Sequence, residues 1–185
     1  MKNSMIKKLA ILLLVLCFTT FSSADEATTK VTALSGAGET SGNLSDGAKM
    51  DLRWAEQSNV AAFPGTRFEM FNGNHNLYRV TLPAGAKIDI TLTPESGKLI
   101  NLYALRLGVD DQSVPPDIAR AISAEARYPI YANLTSGKRV TNPDDGIRKI
   151  DFISVSSPYT ILIGVAGAQG LTEGDYKLKV DISAR

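Results

Sequence analysis

His75 is the only histidine in the chain, and it lies in the sequence Asn72-Gly73-Asn74-His75-Asn76. A histidine titrates near neutral pH, and it acts as a general base when a nucleophile and an orienting carboxylate lie beside it. The hydrolase motifs Gly-x-Ser-x-Gly and His-Glu-x-x-His do not accompany it. Asn-Gly-Asn-His is also ordinary turn sequence that leads into a strand. We therefore favour a structural role for His75, and a small hydrolase that pairs His75 with a loop carboxylate is the catalytic alternative.

Two pairs of adjacent aspartates, Asp110-Asp111 and Asp144-Asp145, are typical of exposed loops. Carboxylate oxygens are the ligands that calcium prefers, and Gly146 directly follows the second pair. A calcium loop needs six or more oxygen ligands, and the spacing Asp-x-Asp-x-Asp-Gly does not occur in this chain. Solvated turns are the alternative. Asp144 and Asp145 are thus the candidate metal ligands, and calcium is the one cofactor that the sequence suggests.

Tyr128 and Tyr131 lie close together in a long connection and are the candidate ligand-binding aromatics. Exposed tyrosine rings on a β-sandwich can stack on sugars, which would make the chain a carbohydrate-binding module. A tyrosine in such a position also commonly packs its ring against the core and keeps its hydroxyl in water. The two functions differ in whether both rings are exposed together.

The N-terminus has the three parts of a secretory signal peptide. Lys2, Lys7 and Lys8 precede an apolar stretch at 9–18, and small residues that include Ser22 and Ala24 follow it. An apolar stretch of about ten residues is too short to cross a bilayer as a helix. We therefore predict cleavage after Ala24 and export to the periplasm or out of the cell, with a retained N-terminal anchor as the alternative.

Cleavage after Ala24 leaves 161 of the 185 residues and removes three of the 20 basic residues together with Cys17, the single cysteine. The remaining 17 basic residues nearly balance the 19 acidic ones. A near-neutral domain has no basic patch for nucleic acid or for an anionic membrane surface. No thiol remains for a disulfide, thiolate catalysis or zinc. We also predict no membrane span in the mature chain, because no second apolar segment of that density follows.

Most of the chain after residue 47 alternates apolar and polar residues, which is typical of strands that bury one face. The apolar positions of four such runs are Met50, Leu52, Trp54; Tyr78, Val80, Leu82; Ile88, Ile90, Leu92; and Tyr176, Leu178, Val180, Ile182. Runs 99–109 and 159–166 have apolar residues at both odd and even positions, which predicts strands covered on both faces. The pattern predicts an all-β antiparallel sandwich with these two strands at its centre.

Two segments interrupt this pattern. Residues 25–46 are small and polar, and they predict a flexible leader or an edge strand before a single sandwich domain at 47–185. The connection 110–147 is long for a compact β domain, and binding residues often collect in such connections. Within it Pro116 suits a first helical turn, and Ile118, Ile122 and Ala126 share one helical stripe. We predict a short helix at 116–127 and a recognition surface on this connection.

Two blocks of sequence carry a family pattern. The first runs from an aromatic strand through a Pro-Ala-Gly turn into an alternating strand and then a Leu-Tyr strand, with Tyr78, Pro83-Ala84-Gly85, Ile88, Ile90, Leu92 and Asn101-Leu102-Tyr103. The second is the apolar strand 159–167 followed by Gly174-Asp175-Tyr176-Lys177-Leu178-Lys179-Val180. Together they resemble the bacterial pre-peptidase C-terminal domain. The resemblance implies a small jelly-roll-like sandwich on secreted proteins, usually an accessory to an enzyme. The connection 110–147 departs from the family pattern.

Residue types and resemblance together favour an exported, non-catalytic accessory or binding domain over an enzyme. Its partner would be a protein or a polysaccharide, with the connection 110–147 as the contact surface. The alternatives are a small secreted hydrolase that uses His75 and a carbohydrate-binding module that uses Tyr128 and Tyr131.

We predict that the exported protein begins at Asp25, because a basic start, a short apolar stretch and a small-residue cleavage site coincide only before that residue. Intact-mass measurement of the exported material tests this prediction. A mass that still includes residues 1–24 would contradict it.

Overall fold

The computed structural model describes residues 30–56, 64–94, 97–118, 120–129 and 144–185, so the predicted signal peptide lies outside the described residues. Their regular elements are β1 (Val31–Ala33), β2 (Gly38–Asn43), β3 (Ala48–Lys49), α1 (Arg53–Glu56), β4 (Asn74–Leu82), β5 (Ala86–Pro94), β6 (Ile100–Leu107), β7 (Ser123–Arg127), β8 (Arg148–Ile153), β9 (Tyr159–Gly167) and β10 (Asp175–Ala184). Short 3-10 turns cover Leu44–Asp46 and Pro64–Met70.

The strands form two sheets that pack face to face. The first sheet has the order β1-β4-β9-β6-β7, with β3 also paired to β4, and the second has the order β2-β10-β5-β8. The strand pairs are antiparallel except for β1 and β4, which run parallel. The predicted all-β antiparallel sandwich is therefore confirmed.

The inter-sheet core is built from the inward faces of both sheets. Alternate residues of β4, β5 and β10 supply it as the period-two pattern predicted, namely Tyr78, Val80, Leu82, Ile88, Ile90, Leu92, Tyr176, Leu178 and Val180. Residues on one parity of a strand share one face, so the apolar set enters the core while lysines and aspartates between them stay in water.

A Pro-Ala-Gly turn between two alternating runs is typical of a hairpin, but Pro83-Ala84-Gly85 does not close one. β4 pairs with β9, β1 and β3, whereas β5 pairs with β10 and β8, so this turn carries the chain from one sheet to the other. Gly85 has a φ of 67° and its N–H donates to the carbonyl of Val155. A hairpin and a crossing between sheets both send alternate residues into the same core, so periodicity alone cannot separate them.

A second hydrophobic core covers the opposite face of the first sheet, and we call it the outer core. Tyr103 and Leu105 of β6 and Leu162 and Ala166 of β9 point into it, while other residues of the same two strands enter the inter-sheet core. Both strands are central in the first sheet. The prediction that runs 99–109 and 159–166 are central and covered on both faces is confirmed.

Two segments outside the sheets pack onto this face and complete the outer core. One contribution comes from the segment before β4, with Leu52, Trp54, Ala55, Met70 and Phe71. The other comes from the connection after β6, with Ile118 and Ala121. These segments fold over the sheet because an uncovered face bearing Leu105 and Leu162 would leave large apolar area in water.

The predicted strand at Met50, Leu52 and Trp54 is wrong. The chain turns there, and α1 begins at Arg53, whose N–H donates to Asp51 Oδ1 at 2.9 Å. This local side-chain hydrogen bond offers the backbone a turn in place of a sheet ladder. Trp54 is buried as expected, but from a helical turn in the outer core.

The predicted helix at 116–127 is also wrong. Ser123–Arg127 forms β7 and pairs with β6, and the N–H of Ile122 donates to the Arg106 carbonyl at 2.8 Å. Ile118 is buried, whereas Ile122 is 51% exposed, so the two do not share one buried stripe. The edge of β6 needs hydrogen-bond partners, and this tertiary pairing overrides the local helical spacing.

The small polar segment 31–43 gives each sheet an edge strand. β1 lies beside β4 in the first sheet, and β2 lies beside β10 in the second. Leu44, in the turn that follows β2, is fully buried in the inter-sheet core.

We predict that Ile118→Asp lowers the free energy of unfolding by about 3 kcal/mol, because it places an unpaired charge in the outer core. The matched change Ile122→Asp should stay within about 0.5 kcal/mol, because that side chain is already in water. Urea denaturation of both variants tests the pair. Equal losses at the two positions would contradict the placement of this connection.

Candidate functional site

His75 lies on β4 with its ring buried and both ring nitrogens in hydrogen bonds. Nε2 is 2.6 Å from the carbonyl oxygen of Phe71, which can only accept, so Nε2 carries the proton. Nδ1 is 3.1 Å from the Tyr103 hydroxyl and therefore accepts from it. Burial lowers the pKa of His75 to about 4, although the bond to Phe71 opposes this shift. A neutral ring with no free nitrogen joins β4 to the outer core, and this geometry favours the structural role.

Asp144 forms a bidentate ion pair with Arg148, with distances of 2.6 Å from Nη1 to Oδ1 and 3.0 Å from Nη2 to Oδ2. These hydrogen bonds hold the pKa of Asp144 below its usual range. Arg148 is buried, and its Nε donates to Asn101 Oδ1 across the sandwich at 3.2 Å. Asn101 in turn donates to the Met70 carbonyl. Asp144 thus anchors a network that joins β8 to β6.

Asp145 caps the turn before β8, where its Oδ1 accepts the N–H of Ile147 at 2.9 Å. Within the described ranges no three His, Cys, Asp or Glu side chains come together as a group that could hold a metal ion. Asp144 and Asp145 therefore serve a salt bridge and a turn in this structure.

Tyr128 packs its ring edge-on against Phe71, with centroids 5.8 Å apart, and is half-buried against the outer core. Tyr131 lies outside the described residues. Tyr128 therefore packs its ring against the outer core. This is the structural alternative to an exposed ring that stacks on a sugar.

A cleft of about 640 Å³ opens between the edge strands β1 and β2. This volume falls within the range of small-molecule and cofactor sites in proteins. Thr32 of β1, Thr40 and Gly42 of β2, and Asn76 and Tyr78 of β4 line it, and the turn after β2 closes one end. His75, Met50 and Pro116 also line it. The sequence analysis had named these three with Asn76 and Tyr78, but in other roles, and it had not predicted that they lie around one cleft.

The cleft stays open because β2 has small residues on its inward face. Gly38, Thr40 and Gly42 stand opposite Val180, Leu178 and Tyr176 of β10, whose side chains fill the inter-sheet core. Directly paired residues of antiparallel strands share a face. Two glycines and a threonine thus replace the large apolar side chains that would otherwise seal this side of the sandwich.

Tyr78 and Asn76 form the floor of the cleft, and both are hydrogen-bonded to Tyr176, which is fully buried behind them. The hydroxyls of Tyr78 and Tyr176 are 2.7 Å apart, and Asn76 Nδ2 donates to Tyr176 Oη at 2.6 Å and to the Asn43 carbonyl at 2.7 Å. Burial raises the pKa of both phenols, so the hydroxyls stay protonated. A Cβ atom on Gly42 would lie 2.6 Å from Tyr176 Oη, so glycine is required where β2 passes over them.

Charged residues surround the mouth of the cleft. Asp51 is paired with Arg53, and Asp46 accepts the N–H of Asn43 at 3.3 Å. Lys30 and Lys49 are exposed and form no ion pair with any residue that the structure describes. Asp46 forms no ion pair among the described residues either, so with Asp51 balanced by Arg53 the two lysines outnumber the one free carboxylate and the mouth is net positive by one charge.

The described part of the chain contains no helix long and apolar enough to cross a membrane. No family model matches the sequence, and no curated protein matches it.

Three solved structures are similar to the chain at low sequence identity. The chain is similar to the pre-peptidase C-terminal domain of a collagenase from Bacillus anthracis, with 11% identity, a TM-score of 0.40 and coverage of 83% of this chain and 96% of that one. It is similar to PliG from Aeromonas hydrophila, a periplasmic inhibitor of g-type lysozyme, with 14% identity, a TM-score of 0.39 and coverage of 83% and 98%. It is also similar to CorA, a surface-associated copper-binding protein of Methylomicrobium album BG8, with 12% identity, a TM-score of 0.43 and coverage of 84% and 98%.

The collagenase domain belongs to the family that the sequence resembles.

We predict that His75 makes the stability of the fold depend on pH between about 6.5 and 4. Because the pKa of His75 is lower in the folded protein, the unfolded chain takes up this proton first, and stability falls as the pH drops through that window. The loss attributable to His75 is about 3 kcal/mol. His75→Gln keeps an N–H for the Phe71 carbonyl but does not titrate, so its stability should fall less on acidification. Parallel stability-versus-pH curves for the two proteins would contradict this.

Proposed function

We propose that the chain is an exported, non-catalytic binding domain whose ligand site is the cleft between β1 and β2. The observation that carries the proposal is a cleft of about 640 Å³ whose floor is a fixed set of hydroxyl and amide groups. Binding sites commonly combine such a concave surface with a few fixed polar groups. Export is part of the proposal because of the signal-peptide pattern at 1–24.

The state of the titratable groups supports binding over catalysis. His75 is buried and uses both nitrogens, and the phenols of Tyr78 and Tyr176 are held protonated. A general base must offer a free lone pair within reach of the proton that it removes. The groups at the cleft are suited to donating and accepting fixed hydrogen bonds.

The cleft also accounts for recognition better than the connection 110–147 does. The described part of that connection supplies Ile118 and Ala121 to the outer core and forms β7, so it is needed for folding. Residues 130–143 lie outside the described residues. The groups around β1 and β2 have no comparable role in covering a sheet.

A test is to fill the cleft without disturbing the core. Thr40→Trp places a large ring in the cleft, whereas the matched control Thr93→Trp places the same ring on the exposed outer face of β5. Immobilised parent and variants are incubated with extract and medium from the source cells, and the bound proteins and glycans are compared by mass spectrometry. Circular dichroism checks that each variant is folded.

We expect a component that binds both the parent and Thr93→Trp. Its bound amount should be at least about tenfold lower on Thr40→Trp, because the indole ring occupies its site. Equal retention by the two variants would place the site elsewhere and overturn the proposal.

A further inference from the structure

The free edge of β2 can be read from its hydrogen bonds. The N–H of Leu44 donates to the Gly174 carbonyl at 3.0 Å, so this residue faces the β10 side. The N–H and carbonyl of Asn43 are instead bound by Asp46 and Asn76, away from β10. Backbone direction alternates along an antiparallel strand, so the N–H and carbonyl groups of Glu39 and Ser41 also face away from β10. That side of β2 has no strand partner within the described ranges.

This edge has few of the features that protect other edge strands. β2 has one charged residue, Glu39, among its six and no proline. The other edge of the same sheet, β8, has three charged residues among six, and β7 has two among five. Charged residues and proline discourage the pairing of exposed edges with other chains. The remaining edge is formed by β1 and β3, which also lack proline but are only three and two residues long, and very short edge strands offer little to pair with. β2 is thus the edge most open to pairing among these strands.

A chain paired with β2 would also reach the cleft. Its side chains would alternate between the outer surface and the inward face, where Gly38, Thr40 and Gly42 leave space. The capping of Asn43 by Asp46 and Asn76 sets the end of this pairing edge. Inward side chains would enter the cleft above Tyr78, beside the exposed ammonium groups of Lys30 and Lys49.

We propose that the ligand is an extended acidic segment of another polypeptide, which pairs with Glu39 and Ser41 as an added strand and places its acidic side chains near Lys30 and Lys49. This inference rests on the proposed function, because it names the ligand class of the same cleft. Main-chain hydrogen bonds provide affinity in such strand addition, and the side chains that enter pockets provide specificity.

The decisive variant is Ser41→Pro. A proline is tolerated on an edge strand where its N–H faced away from the sheet, so the fold should survive. The variant nevertheless removes a donor that the added strand would use. Ser41→Ala retains that N–H and is the matched control. Thermal unfolding and circular dichroism verify both proteins.

The probe is a phage library of random nine-residue peptides, selected on the parent domain without its signal peptide. We expect the selected peptides to be enriched in Asp and Glu. Synthetic versions should bind Ser41→Pro about tenfold more weakly than the parent and Ser41→Ala within about twofold, because one main-chain hydrogen bond is lost. The double variant Lys30→Glu with Lys49→Glu should remove the acidic preference.

Three results would overturn the inference: no peptide enriched on the parent, enriched peptides that are basic, or equal binding to Ser41→Pro and the parent. The Thr40→Trp experiment distinguishes a failure of the acidic-peptide inference from a failure of the proposed function. If Thr40→Trp abolishes capture while peptide selection fails, the cleft is a binding site for another ligand class. If Thr40→Trp leaves capture unchanged, the site itself is wrong.

Discussion

The architecture depends on one constraint: the first sheet is apolar on both faces and must be covered on both. The second sheet covers one face, and the other, where Tyr103, Leu105 and Leu162 project, is covered by the short helix α1, a 3-10 turn and irregular chain. The chain before β4 and the chain after β6 are folded onto that face and close it. Segments that would be free loops in a simpler sandwich are therefore part of the core, and this determines where a ligand can bind.

The same constraint explains the positions of the candidate residues. His75 and Tyr128 are drawn into the outer core by Phe71, which receives a hydrogen bond from one and an edge-on ring contact from the other. Asp144 is engaged by a buried arginine that bridges the sheets. The polar groups of the cleft between β1 and β2 remain accessible. That region has little core to protect, because the inward side chains of β2 are small.

Periodicity predicted most of the framework from the sequence, since alternation in β4, β5 and β10 and double-sided apolarity in β6 and β9 follow directly from burial. It could not predict which sheet β5 joins, because crossing between sheets and hairpin closure bury the same residues. Periodicity predicted a helix at 116–127 wrongly, because apolar spacing that fits a helix occurs in a segment that instead forms β7 and pairs with the edge of β6. The sequence analysis did not predict the cleft, because the feature that indicates it is the small size of Gly38, Thr40 and Gly42. Small polar residues are also typical of a flexible leader. The alternation of two glycines around a threonine just before a buried leucine was the available clue.

The contact between Tyr78 and Tyr176 joins a strand of each sheet just beneath β2. The distance between two hydrogen-bonded oxygens varies over only a few tenths of an ångström. A side chain on Gly42 would collide with both hydroxyls, so β2 passes directly over this pair, and the pair limits how closely β2 can approach the first sheet. The width of the cleft is consequently set before any ligand binds. A ligand that fits the cleft would bind with little loss of conformational entropy in the protein. A ligand with a larger side chain at that position would clash with β2.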